Sequence, residues 1–167
     1  MDIAETFAQN ETIKNAFGAN LQKINNIQMT KAVAKATPLD EISQALGITV
    51  VEYTSETQDM SGYNDKTIFI NKFDTPFRKR YDTALLIGKV MQPNASLSAH
   101  LKFATDLLLP EASIRLAVSE YTDEIGTTVL DYHQFEKMLK ALSYIFEVNP
   151  HALDIRLHQV LGTDLHY

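Results

Sequence analysis

The sequence predicts an α+β fold: a small three-stranded sheet, antiparallel or mixed, packed with several helices. Three observations lead there. Strand-favouring β-branched and aromatic residues cluster between Ile48 and Ile70. On either side of that window, apolar residues recur at three- and four-residue spacing. Pairs such as Thr37-Pro38, Thr75-Pro76 and Asn149-Pro150 stand where helices should begin.

Residues 1–36 contain no proline and place Ile3, Phe7, Ile13, Phe17, Leu21 and Ile24 at roughly helical intervals. They form an N-terminal helical extension, with Gly18 as its break and Asn10 and Asn20 as N-caps. Lys14, Lys23, Lys31 and Lys35 make this stretch less acidic than the whole, as a solvated helix face or a basic docking surface. Thr37-Pro38 then opens a helix, with Thr37 as its cap, Asp40 and Glu41 on the positive end of its dipole, and Gly47 at its end. Residues 48–53 read as a strand. Gly62-Tyr63 and residues 67–70 flank Asn64-Asp65-Lys66, which is a hairpin pattern because Asn and Asp accept turn conformations.

Helices follow. One starts at Thr75-Pro76 and runs to about Met91, before Pro93. Another starts at Ser96 or Ser98 and runs to Leu109, and a short one follows Pro110-Glu111. Asp131 opens a helix through Phe146, and Asn149-Pro150 opens the last. Residues 37–167 read as one domain, without repeat, low-complexity segment or linker.

Composition excludes several functions. The 167 residues include no cysteine, so disulfides, thiolate metal sites and cysteine nucleophiles are absent. Fifteen Lys and Arg against 21 Asp and Glu give a net charge of −6, opposite to a nucleic-acid footprint. No apolar run approaches the roughly 20 residues of a membrane span, and the acidic start Met1-Asp2-Ile3-Ala4-Glu5 lacks signal-peptide character. The expectation is a soluble cytoplasmic protein, with no membrane role, whose metal sites, if any, use His, Asp and Glu.

Three islands carry a resemblance. They are residues 40–48, Asp40-Glu41-Ile42-Ser43-Gln44-Ala45-Leu46-Gly47-Ile48, leading into the Val50-Val51 strand; residues 61–71, with Ser61-Gly62-Tyr63-Asn64 and the Ile68-Phe69-Ile70-Asn71 strand; and Phe103-Ala104-Thr105-Asp106-Leu107-Leu108-Leu109-Pro110. In this order, and with the helical tail from Ala141 to Gly162, they resemble the ImmA/IrrE family of zinc-dependent peptidases found with phage and mobile-element repressors. The resemblance covers roughly residues 38–162. It implies a zincin-like minimal scaffold with extra N-terminal helices.

The departure from that family matters more. Its active helix reads R-F-T-x-A-H-E-x-G-H, and the matching stretch here is Arg80-Tyr81-Asp82-Thr83-Ala84-Leu85-Leu86-Ile87-Gly88-Lys89. Leu85 and Lys89 stand at the two zinc-binding histidines, and Leu86 stands at the general-base Glu. That chemistry needs two imidazoles one turn apart and a carboxylate beside them. The family's third ligand, a Glu, falls near residues 98–103, where only His100 is available. The resemblance therefore implies a pseudo-peptidase: no catalytic residues, no metal, no cofactor.

Other chemistry is thin. His151, Asp154 and His158 share a helix face, with His133 and His166 as further candidates for a partial metal site. His100, Asp82 and Asp106 form the alternative constellation for a residual metal-dependent hydrolase. Asp123-Glu124 and Tyr132-His133 match no catalytic pair, and no G-x-S-x-G, P-loop or dinucleotide fingerprint occurs. The helices at residues 134–146 and 150–161 have helix-turn-helix dimensions, which keeps a direct DNA-binding regulator as a third reading. Lys137, Lys140 and Arg156 there are balanced by Glu136, Glu147 and Asp154, whereas DNA binding draws on unbalanced cations, so direct nucleic-acid binding is disfavoured.

The leading expectation is a catalytically inactive, peptidase-like regulator that binds a protein partner, such as a phage-type repressor, in antirepressor fashion. Its candidate surface is the old cleft: Ser61, Gly62, Tyr63, Asn64, Arg78, Lys79, Arg80 and Lys89.

Overall fold

A computed structural model describes residues 3–24, 27, 36–54 and 61–162. Helices α1 (Ile3–Ala8) and α2 (Glu11–Phe17) lead through a 3-10 turn (Gly18–Ile24) to α3 (Leu39–Leu46). Strands β1 (Thr49–Tyr53), β2 (Gly62–Asn64) and β3 (Thr67–Asn71) come next. Five helices close the chain: α4 (Pro76–Met91), α5 (Leu97–Leu108), α6 (Glu111–Ile125), α7 (Tyr132–Phe146) and α8 (Pro150–Leu161). The class is α+β, and the sheet is the mixed form of the two expected. None of the described helices is long and apolar enough to cross a membrane.

The strand order is β1-β3-β2. β2 and β3 form the expected hairpin, antiparallel, with Asn64 opposite Thr67 and Asp65 at φ 52° in the turn. β1 lies parallel to β3, with Val50 beside Ile68 and Glu52 beside Ile70. The central strand buries Ile68 and Ile70 on the face that α4 covers.

Helix starts follow local side-chain chemistry. Asn10, Thr75, Ser96, Asp131 and Asn149 each accept a backbone N–H of the following turn. At Asp131 the cap is reciprocal, because Gln134 Oε1 accepts the Asp131 N–H at 2.9 Å. Gly47 and Gly126 end α3 and α6 in the left-handed region, where glycine carries no Cβ penalty.

Three expectations need correction. Thr37 does not cap α3, which starts after Pro38 without a side-chain cap. Its hydroxyl is buried and donates to the Leu107 carbonyl at 2.6 Å, tying the start of α3 to the end of α5. Asn20 sits inside the 3-10 turn instead of opening a helix. The helix after Pro110 is not short; α6 has 15 residues, with Ser113, Ile114 and Ala117 inward. Lys31 and Lys35 fall outside the described residues.

The N-terminal helices share the core of the rest. Phe7 and Phe17 are fully buried, with ring centroids 6.2 Å apart, and Phe17 meets Phe103 of α5 edge-to-face at 5.5 Å. Burying each such ring stabilises the fold by roughly 1.5–3 kcal/mol. α4 and α5 pack closely because Gly88 has no side chain: a Cβ there would lie 2.6 Å from Phe103 Cδ1.

Candidate functional site

α4 carries the positions that the resemblance singled out. Thr75 caps it and Pro76 opens it, which fixes the helical phase of everything after. That phase turns Leu86 and Ile87 into the core, with Leu85 partly buried against it and Lys89 half-buried near the helix end. Leu86 is 3% exposed. Apolar packing thus occupies this face of α4. Asp82, one turn before, is buried and accepts Arg78 Nε at 2.6 Å.

The other candidate ligands are held apart by separate partners. His100 is buried, and its Nε2 lies 2.8 Å from the Gln92 carbonyl, which can only accept, so this nitrogen carries the proton. His100 therefore ties the α4–α5 connection. Asp106 is 1% exposed and accepts from Lys102 Nζ at 2.6 Å and from Arg156 Nη2 at 2.7 Å. On α8, His158 Nδ1 stands 3.3 Å from Asp154 Oδ1, while His151 and His133 are exposed. Among the described residues no three His, Asp or Glu side chains converge on a cation position. His166 lies outside them.

The expected partner surface is distributed over several places. Gly62, Tyr63 and Asn64 form β2, the sheet edge opposite β1, and the Ser61 hydroxyl lies 3.3 Å from the Tyr53 hydroxyl. Lys79 and Arg80 line a cleft of about 610 Å³ between the start of α3, β1 and α4. Arg78 lines a different groove, of about 490 Å³, between α4, α5 and α8. Lys89 borders neither.

The larger cleft is acidic. Asp40, Glu41, Glu52, Asp74 and Glu147 line it, against Lys79 and Arg80. Both cations are engaged: Lys79 Nζ donates to Glu52 Oε1 at 2.7 Å, and Arg80 stands 3.4 Å from Glu147 Oε2 and donates to the Thr37 carbonyl. The Lys79 hydrogen bond and charge hold the Glu52 carboxyl below its ordinary range. Burial lowers the Arg80 guanidinium, opposed by Glu147 and Asp40.

The smaller groove is mainly apolar, walled by Phe77, Leu108, Leu109, Val148 and Ile155 with Arg78, Arg156 and Tyr81 among its polar groups. Burial pushes the Tyr81 phenol up, reinforced by Asp82 and opposed by Arg78. Arg156, one of three cations on the helix-turn-helix pair, is consumed internally: besides Asp106, its Nε donates to the Leu109 carbonyl at 3.1 Å. Only Lys137 and Lys140 remain exposed there.

Sequence reasoning missed the acidic cleft. Its five carboxylates come from four separate stretches of chain, and no local pattern announces their convergence. Searches against protein-family models, curated proteins and solved structures found no match for this chain.

Proposed function

We propose that this chain is a non-enzymatic regulator, built like an ImmA/IrrE-type peptidase without its zinc chemistry. It acts in the cytoplasm by occupying a partner protein such as a phage-type repressor. The observation that carries this reading is the state of α4. Leu85 and Leu86 offer no lone pair or proton acceptor, and both pack against the core. The residues nearest to a substitute constellation, His100, Asp82 and Asp106, each serve an internal hydrogen bond or ion pair. Binding energy is separable from bond cleavage, so a scaffold of this kind can hold a partner without cutting it. The engagement of Arg156 within the fold weighs further against direct DNA binding.

The test is association with a purified phage-type repressor encoded beside the gene. The expected result is a complex at micromolar concentration, with the repressor intact after prolonged incubation and its operator affinity reduced. Zinc-dependent cleavage of the repressor would refute the non-enzymatic reading, and failure to associate would remove the regulatory one.

A further inference from the structure

We propose that the outer edge of β1, with the acidic cleft beside it, docks an extended lysine- or arginine-bearing segment of a partner protein as a fourth strand. The proposal deepens the partner-binding reading by giving it a surface.

The backbone geometry comes first. Thr49 N donates to the Lys66 carbonyl and Lys72 N donates to the Tyr53 carbonyl, so residues 49, 51 and 53 turn their peptide groups toward β3. Alternation then directs the N–H and C=O groups of Val50 and Glu52 away from β3. β1 is an edge strand of the sheet, and among the described residues no ladder covers these outward groups. Unpaired edge groups are a template for an added strand, and proteins commonly blunt such edges with proline, bulges or inward charges. β1 has no proline, its one charge, Glu52, is paired with Lys79, and Val50 and Val51 are 37% and 39% exposed.

Side-chain direction and charge then select the occupant. Val50 and Glu52 line the cleft, so Val51 faces the opposite side of the sheet. A strand added beside β1 would send alternate side chains over the cleft and the others beside Val51. The cleft presents five carboxylates against two cations that already have carboxylate partners. Its unbalanced charge is negative, which favours cations at every second position and β-branched residues between them.

The probe is a fluorescein-labelled peptide, KVKVKVK, titrated into the full chain and followed by anisotropy. Its comparators are the acidic EVEVEVE and the block sequence KKKKVVV, which keeps charge and composition but loses the alternation. The alternating basic peptide should bind at least tenfold more tightly than either, and it should perturb the amide resonances of Val50 and Glu52. Val50→Pro removes an outward N–H without removing a bond to β3 and should weaken binding at least tenfold. Should Val50→Pro fail to fold, Glu41→Lys with Asp74→Lys reverses cleft charge and should abolish the preference for the basic probe. Equal binding of the block peptide, or unperturbed Val50 and Glu52 amides, would overturn the proposal. So would a dimer of the chain that Val50→Pro dissociates, which would assign the edge to a second copy. These measurements need no repressor, so their failure is distinct from failure of the regulatory reading.

Discussion

Replacing Gly88 by alanine should destabilise the protein, although alanine is the better helix former. In an exposed helix interior the change gains about 1 kcal/mol. Here the added Cβ would lie 2.6 Å from Phe103 Cδ1 and 3.3 Å from its Cε1 and Cγ. Carbon atoms rest at about 3.5–4.0 Å, so the closest approach is too short by about 1 Å. The Phe103 ring has little freedom to retreat, since it is fully buried and braced edge-to-face on Phe17. Overpacking of this kind costs about 1–3 kcal/mol, and more where the backbone must shift. The cost exceeds the gain over most of that range, so the net expectation for Gly88→Ala is a loss of up to about 2 kcal/mol. Urea denaturation followed by far-UV circular dichroism should show a lower midpoint at unchanged slope. In a Phe103→Leu background the penalty should shrink, because the smaller side chain makes room. A midpoint for Gly88→Ala equal to or above the parent's would refute the claim that α4 and α5 touch at this glycine.

Three further outcomes are expected. Arg156→Met leaves the buried Asp106 carboxylate with Lys102 alone and should cost roughly 3 kcal/mol by denaturant melt, more than Lys102→Met, whose ammonium is mostly exposed; the reverse order would place the stabilising partner on the wrong helix. Leu86→Glu puts a carboxylate into the core and should cost about 3 kcal/mol or more, so unchanged thermal stability would show that this face of α4 is not packed. Glu52 titrates below its ordinary value because of Lys79, so its contribution is present above the ordinary carboxylate range and fades as pH falls through the depressed value. Lys79→Met should move the Glu52 carboxyl titration upward in an NMR pH series, and an unmoved titration would disprove the pairing.

Much of the fold was legible because its signals are local. Caps at Thr75, Ser96, Asp131 and Asn149, the glycine stop at Gly47 and the turn at Asp65 each act through a few neighbouring atoms, and each is read from a short stretch of sequence. Thr37 misled for the same reason. Its sequence neighbours favour a cap, but its hydroxyl is taken by a carbonyl 70 residues away. The parallel placement of β1 beside β3 was equally hidden, since pairing direction across a skipped strand depends on packing against α4. At the candidate site, Leu85, Leu86 and Lys89, the positions that the resemblance singles out, could be read residue by residue. The grouping of Asp40, Glu52, Asp74 and Glu147 could not, because only the folded chain brings them to one cleft.

The meeting of Phe17 with Phe103 has a consequence for biosynthesis. About 86 residues separate the two rings, and a ribosome adding roughly 5–20 residues per second needs several seconds to cover them. Through that interval the nascent chain carries α1 and α2 with Phe17 still lacking the α5 ring that it meets in the folded protein. The Phe17 ring gains this partner only after α5 has left the exit tunnel. Slowing translation between α2 and α5 should therefore lower the soluble yield more than slowing it after α5.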